Sequence, residues 1–167
     1  MGNSLVLGQV KTEEKSNEIT AIPELLNVLD IKGCIVTIDA MGCQKDIAKK
    51  IIDGEGDYLF ALKGNQGKLS EQVEEIFEKV VLCDDKDDDV DYYETEEKSR
   101  NRFEVRRHWV LDVTDTEVDT SAWCGLNTLG MLESQRTIGD KTRIERRYYI
   151  GSIKTNAELF AKSVRSH

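Results

Sequence analysis

The sequence predicts an α/β fold that continues into a mainly antiparallel group of β-strands. In residues 1–83, short apolar runs alternate with segments of helical period, which predicts parallel strands joined by helices. After residue 90, longer segments rich in β-branched and aromatic residues follow one another, which predicts strands. A chain of 167 residues is long enough for one domain with an ordinary core.

The first elements are a strand, a helix and a second strand. Leu5–Lys11 has the composition of a short strand. The helix that follows should place Pro23 in its first turn, where a missing N–H costs little, and should end before Gly33. Cys34–Asp39 is expected to be a buried strand. The apolar face of the helix consists of Ile22, Leu25, Leu26 and Leu29.

The remaining elements of the first half repeat this alternation. Gln44–Asp53 has isoleucines at helical spacing and is followed by glycine, which predicts a helix and its end. Tyr58–Leu62 should be a buried strand, and Lys63–Gly67 a turn. Leu69–Leu82 has apolar residues of regular helical period and predicts a longer helix.

The second half predicts an acidic loop at Asp84–Asp91, four strands and a final helix. Thr137–Lys141 has the residues of a hairpin turn. The helix Ala157–Val164 should be capped by Asn156. We therefore divide the chain into an α/β portion (1–83), a β-rich insertion (84–154) and the start of a last helix (155–167). The four strands are Tyr92–Lys98, Phe103–Val113, Thr128–Ile138 and Thr142–Ile153.

Composition favours a soluble cytoplasmic protein. Hydrophobic residues make up 39% and charged residues 33% of the chain, with no apolar stretch of membrane-spanning length and no secretory leader. The four cysteines are far apart and form no CxxC pair, and there are only two histidines. A zinc site is therefore not expected, and free thiols are the simplest state of the cysteines.

The charge is distributed unevenly. Most of the net charge of −9 comes from Asp84–Glu97, which contains nine acidic residues and one basic residue. Basic clusters follow at Lys98–Arg107 and Lys141–Arg147. Solvated surface is the simpler interpretation of such clusters, and contact with nucleic acid is the alternative.

The strand that ends at Asp39 is a candidate functional element. In an open α/β sheet, ligands bind beyond the carboxyl ends of the strands, and Ala40, Met41 and Gly42 allow the backbone to turn close to such a site. A carboxylate there can bind a divalent cation, and Mg²⁺ typically takes one or two protein carboxylates. Capping of the next helix or of its own turn is the alternative role for Asp39.

Several stretches of the sequence resemble one known family. "LVLGQVKTEEKSNEITAIPELL", "IVTIDAMGCQKDIAKKI" and "GDYLFALKGNQ", and further on "RFEVRRHWVL" and "RIERRYYIGSI", are similar to the H-repeat-associated family of insertion-sequence transposases. The likeness extends from Leu5 to His167 and is most specific between Gly8 and Gln66. That family belongs to the DDE transposases, whose catalytic domain is ribonuclease H-like.

This resemblance implies a fold, a reaction and cofactors. The expected fold is a partial ribonuclease H-like domain with a mainly antiparallel β-strand insertion. In the family, three carboxylates hold two Mg²⁺ or Mn²⁺ ions for DNA cleavage and strand transfer. Asp39 matches the second carboxylate, so it is the expected catalytic and metal-binding residue. The expected partner is DNA at the ends of a mobile element, and no membrane is involved.

The chain departs from the family pattern at two carboxylates. The first lies in an Asp-Gly-Lys segment upstream of "LVLGQVK", and the third lies just after the "VRSH" with which this chain stops. "HWVLDV" resembles the string after the family's glutamate, but its context makes Asp112 a strand-end or turn residue. One carboxylate cannot hold two Mg²⁺ ions, so we expect no DNA cleavage by this chain. The alternative is a relic that only binds DNA or oligomerises.

Two consequences follow for assembly and DNA contact. Without the family's first two strands, the strand of Asp39 should form an edge of the sheet, which favours a homodimer. Lys63 and Gln66 match the family and are candidates for contact with DNA, although a plain turn explains them equally well. The DNA-backbone candidates in the insertion are Arg102, Arg106, Arg143 and Arg147. The alternative for these arginines is a cross-strand ion-pair ladder that joins Arg102–Arg106 to Arg143–Arg147.

Overall fold

The computed structural model describes residues 18–40, 43–82 and 89–165. The predicted strand Leu5–Lys11 and most of the predicted acidic loop lie outside the described residues. The helices are α1 (Glu18–Val28), α2 (Lys45–Asp53), α3 (Lys68–Leu82) and α4 (Ala157–Arg165). The strands are β1 (Ile35–Ile38), β2 (Asp57–Leu62), β3 (Val90–Ser99), β4 (Arg102–Asp112), β5 (Thr128–Ile138) and β6 (Lys141–Gly151).

The strands form one six-stranded sheet with the order β1-β2-β6-β5-β4-β3. β1 and β2 are parallel and are joined through α2, as the first half of the sequence predicts. β3 to β6 form an antiparallel meander, as the second half predicts. β6 also pairs antiparallel with β2, so a single sheet runs through both halves.

A close backbone approach joins the two halves at Gly151. A Cβ atom at Gly151 would lie 2.8 Å from the carbonyl oxygen of Tyr58, so the β2–β6 pairing requires glycine there. Ser152 lies beside this contact, and its hydroxyl accepts a 2.9 Å hydrogen bond from the Tyr58 amide. This link fixes the end of the meander against the parallel strands.

The helices cover opposite faces of the sheet. The larger core contains side chains of α1, α2 and α3, such as Ile47 and Phe77, against one face. The smaller core contains Phe160 and Ala157 of α4 against the other face. Asn156 caps α4 as predicted, because its Oδ1 accepts a 2.7 Å hydrogen bond from the Leu159 amide.

Three predictions about the elements are wrong in detail. Pro23 lies inside α1 rather than in its first turn. A proline there costs about 3 kcal/mol, and the packing of Ile22 and Leu26 on the core offsets it. β1 is half-buried, not buried, because it is the terminal strand in the sheet order of the described residues. Asp91 belongs to β3 rather than to a loop, since it pairs with Val110 of β4, and its carboxylate accepts a 2.7 Å hydrogen bond from the first amide of α4.

Candidate functional site

Asp39 lies at the carboxyl end of β1. β1 runs parallel to β2, so the carboxyl ends of both strands lie at the same edge of the sheet. Asp39 is exposed at this edge, and buried Ala40 follows it. The structure therefore places this carboxylate where ligands bind in open α/β sheets, as the sequence predicts.

Gln66 connects the ends of β1 and β2. It belongs to a short 3₁₀ turn, Gly64–Gln66, directly after β2. Its side-chain amide donates a 2.7 Å hydrogen bond to the carbonyl oxygen of Cys43, in the segment between Asp39 and α2. This contact holds the two loops at the Asp39 edge together, whereas Lys63 is exposed beside it.

Cys43 itself is not a reactive thiol. Its side chain is buried, and burial raises the pKa of the thiol to about 12. The thiolate form that reacts or binds metal is therefore strongly disfavoured. Cys43 serves as a small apolar residue of the larger core.

The sheet face that carries Asp39 is the face covered by α4, and we call it the Asp39 face. Ile35 packs in the smaller core with Phe160, and alternation along the strand puts Asp39 on the same side. Tyr149 of β6 belongs to this core as well. Burial raises the pKa of Tyr149, and Arg147 opposes this shift. The charge of Asp39 raises the pKa further, so Asp39 and Tyr149 interact electrostatically.

The four arginines predicted to contact DNA lie on the Asp39 face. Val110 of β4 and Tyr149 of β6 both pack in the smaller core. Because side chains alternate between the two faces of a strand, residues an even number of positions from Val110 or Tyr149 lie on the same face as they do. Those on β4 are Arg102 and Arg106, and those on β6 are Arg143 and Arg147.

A buried carboxylate holds the arginines of β4. Glu104 is 3% exposed and forms ion pairs with Arg102, with Arg106 at 3.1 Å and with Arg136 of β5 at 3.5 Å. Burial raises the pKa of Glu104, but the hydrogen bonds and charges of Arg102 and Arg106 outweigh that effect and lower it overall. Glu104 therefore stays ionised and orders three guanidinium groups.

The predicted ladder between β4 and β6 is wrong. β5 lies between these strands, so their side chains are about 10 Å apart. Arg102 and Arg106 pair instead with Glu104, and Arg147 pairs at 2.9 Å with Glu145 on its own strand. Alternation along the sequence gave the right face for these residues but the wrong neighbouring strand.

The opposite face carries an ion-pair network that the sequence analysis missed. Glu133 of β5 is nearly buried and pairs with Arg107 at 3.0 Å and with Arg146 at 2.8 Å. Arg107 also pairs with Glu94 of β3 at 2.9 Å. The available signal was that Arg107 and Arg146 each lie next to an arginine of the Asp39 face, so alternation puts them on the opposite face.

Asp112 has the structural role that the sequence predicts. The Oδ1 atom of Asp112 accepts two hydrogen bonds from Thr114, one from the backbone amide at 2.9 Å and one from the hydroxyl group at 2.6 Å. These bonds lower the pKa of the Asp112 carboxyl and cap the short 3₁₀ turn after β4. Asp112 thus ends a strand and starts a turn.

The described residues do not fit a site for two metal ions. Among residues 18–40, 43–82 and 89–165, no group of three Asp, Glu, His or Cys side chains could hold a metal ion. Two Mg²⁺ ions require several shared carboxylates, so the described residues by themselves do not meet this requirement.

A comparison with protein families shows the family to which the chain belongs. Residues 1–163 match the transposase DDE domain. The chain belongs to the DDE transposase family. The mixed α/β sheet agrees with a partial ribonuclease H-like domain of that family, as predicted. Within the described residues, no helix is long and apolar enough to cross a membrane.

The chain is also similar to curated proteins, two of which are named as putative transposases. The H repeat-associated putative transposase YhhI of Escherichia coli K12 is 52% identical over 170 residues, which is 99% of this chain and 44% of YhhI. The putative protein YbfL of the same strain has the same identity and coverage. The H repeat-associated putative transposase YbfD is 59% identical over 117 residues, which is 70% of this chain and 45% of YbfD. The chain spans less than half the length of these relatives. The comparison with solved structures finds no match.

Proposed function

We propose that this chain is the central part of a DNA transposase catalytic domain, in which Asp39 is one of the metal-binding catalytic carboxylates. The observation that carries the proposal is the exposed Asp39 at the carboxyl end of β1, within a chain that matches the DDE domain over residues 1–163. The substrate in the intact protein is DNA at the ends of a mobile element. Mg²⁺ or Mn²⁺ is the cofactor that its reaction requires.

The position of α4 supports this assignment. α4 packs on the Asp39 face through Phe160, which is fully buried against the sheet. A helix on this face can bring a further carboxylate towards Asp39 when its chain continues. In the family that this sequence resembles, the catalytic glutamate lies on the corresponding helix.

The chain by itself should bind DNA without cleaving it. Arginines on the Asp39 face can contact phosphate groups, whereas the described residues do not supply the carboxylates for two metal ions. A nicking assay on supercoiled plasmid in Mn²⁺ is expected to show no product. Nicking that Asp39→Asn abolishes, and that Asp115→Asn leaves intact, would contradict this expectation. Asp115 is a suitable control because it is exposed in the turn after β4.

The flanking DNA distinguishes a catalytic domain from a relic. If the reading frame continues upstream through an Asp-Gly-Lys segment and downstream past His167 to a glutamate, the longer protein can be assayed for excision of its element. Asp39→Asn should then abolish excision, and Asp115→Asn should not. Stop codons or unrelated sequence on both sides would instead favour a non-enzymatic module that binds DNA or oligomerises.

A homodimer is the remaining part of the proposal. β1 is the terminal strand of the sheet order in the described part of the chain, and strands at a sheet end commonly pair with another chain. Sedimentation velocity over a range of protein concentrations should show a dimer. A monomer at every concentration would contradict this part of the proposal and leave the role of Asp39 untouched.

A further inference from the structure

A cationic groove lies at the far end of the β5–β6 hairpin. Its volume is about 580 Å³, and it is open to solvent. We call it the tip groove, and its lining residues are Arg136, Ile138, Lys141, Thr142 and Arg143. Three of these five side chains are cations, so the groove has the chemistry of an anion site.

The tip groove holds two cations in direct opposition. Arg136 of β5 and Arg143 of β6 are partners in the strand register, so their side chains lie side by side on the same face. Like charges at such a pair of positions destabilise a sheet unless an anion lies between them. Lys141 lies two residues from Arg143 on the same strand and face, and it adds a third positive charge.

The protein neutralises this charge only in part. Arg136 reaches Glu104 at 3.5 Å, but Glu104 also pairs with Arg102 and Arg106. Within the described residues, Arg143 and Lys141 form no hydrogen bond or ion pair through their side chains. Their donors are therefore available to a ligand.

The groove is built on regular structure. The β5–β6 register continues to its last pair, Ile138 with Lys141, and Gly139 turns the chain with φ of +57°. The hydroxyl groups of Thr137 and Thr142 form a 3.0 Å hydrogen bond across the hairpin. The backbone positions of the cations are thus set before any ligand binds.

The tip groove is separate from Asp39. Six residues along β6 separate Arg143 from Tyr149, the residue that interacts with Asp39, and this corresponds to about 20 Å. A small anion cannot reach from one place to the other. An extended polyanion can contact both, and guanidinium groups bind phosphate in a bidentate manner.

We propose that the tip groove binds the phosphodiester backbone of duplex DNA through Arg136, Lys141 and Arg143. This inference rests on the proposed function, because it takes DNA as the partner of the Asp39 face. It adds Arg136 to the cations predicted from the sequence, and it assigns a phosphate contact to Lys141 within the basic cluster Lys141–Arg147. Within the described residues, Arg143 is also the one of the four predicted arginines whose side chain forms no ion pair, whereas Arg102, Arg106 and Arg147 each pair with a glutamate.

Binding of a labelled random-sequence duplex, measured by fluorescence anisotropy at several salt concentrations, tests the proposal. The variants are Arg136→Gln with Arg143→Gln as a pair, and Lys141→Gln alone. Lys79→Gln is the matched control, because it removes the same charge from an exposed position on α3, on the opposite side of the sheet. Thermal melting of each variant checks the fold. We expect melting temperatures close to that of the wild type, because relief of the like-charge opposition offsets the loss of the 3.5 Å ion pair between Arg136 and Glu104.

The expected result is a weaker complex with a smaller salt dependence. Loss of two phosphate contacts should reduce the slope of log K against log salt by about 1.8. Lys141→Gln should reduce it by about 0.9, and Lys79→Gln should leave it unchanged. If the wild-type chain binds DNA and the groove variants bind it with the same affinity and the same salt dependence, DNA binding by the tip groove is refuted and the proposed function stands. If the wild-type chain binds no DNA, both the predicted DNA binding by the chain and the proposed role of the tip groove are refuted.

Discussion

Replacing Gly130 with alanine tests whether Phe160 fixes α4 on the Asp39 face. A Cβ atom at Gly130 would lie 2.7 Å from Cε2 and 2.8 Å from Cζ of Phe160. The preferred separation of carbon atoms is about 3.5–4.0 Å, so the methyl group and the ring would overlap by about 1 Å. The ring cannot move easily, because it contacts His108 and Tyr149 edge to face at centroid distances of 5.9 Å and 5.3 Å.

The expected cost of Gly130→Ala is about 1–3 kcal/mol of the free energy of unfolding. Phe160→Leu removes the two ring carbons that clash. It should lower the free energy of unfolding by less than Phe160→Ala, for which about 3–5 kcal/mol is expected. In the Phe160→Leu background, Gly130→Ala should be neutral or stabilising, because alanine in a strand is favoured over glycine by about 0.5–1 kcal/mol. The two changes should therefore be coupled by about 2 kcal/mol.

Urea unfolding monitored by circular dichroism measures all four members of this cycle. Gly64→Ala is the control, because no atom lies within 4 Å of a Cβ at that position and its φ is not positive. Its effect should stay within about 0.5 kcal/mol. An equal cost of Gly130→Ala in both backgrounds would show that the methyl group does not meet the Phe160 ring, and the described packing of α4 would then be wrong.

Two further predictions concern a buried histidine and the Asp39 edge. Burial lowers the pKa of His108, whose Nδ1 donates to the carbonyl of Tyr93 at 3.0 Å. The stability that its neutral form contributes should be complete above the unfolded pKa of about 6.5 and should decline as the pH falls towards the folded value. His108→Asn, which does not titrate, should flatten this decline in urea midpoints, and an unchanged pH dependence would contradict the assignment. Gln66→Ala should cost about 1 kcal/mol and should speed amide exchange at Cys43 about fivefold. Lys63→Ala is the control, and equal exchange in both variants would show that the Gln66 hydrogen bond does not hold the loop.

The sequence alone determined the order and type of most elements. Apolar residues at helical spacing predicted α2 and α3, and β-branched and aromatic segments predicted β3 to β6, within a few residues of their ends. These signals are local, because a helix or strand buries a face whose period is written in a few consecutive residues. The same local pattern put Asp39 at a strand end and Asp112 at a turn.

The tertiary structure decided which strands are neighbours. Alternation showed that Arg102 and Arg143 each lie on one face of a strand, but not that β5 separates them. The partner of a strand depends on contacts between residues far apart in sequence, such as the close approach of Gly151 to Tyr58. A period of two residues contains no information about that partner.

The same limit applied to the candidate site. The resemblance singled out Gln66 as a candidate for contact with DNA, and only the folded chain brings its amide to the carbonyl of Cys43. The burial of Glu104 and the opposition of Arg136 and Arg143 also arise from the pairing of β4, β5 and β6. Single charged residues can be read from a sequence, but their neutralisation depends on the side chains that the sheet places beside them.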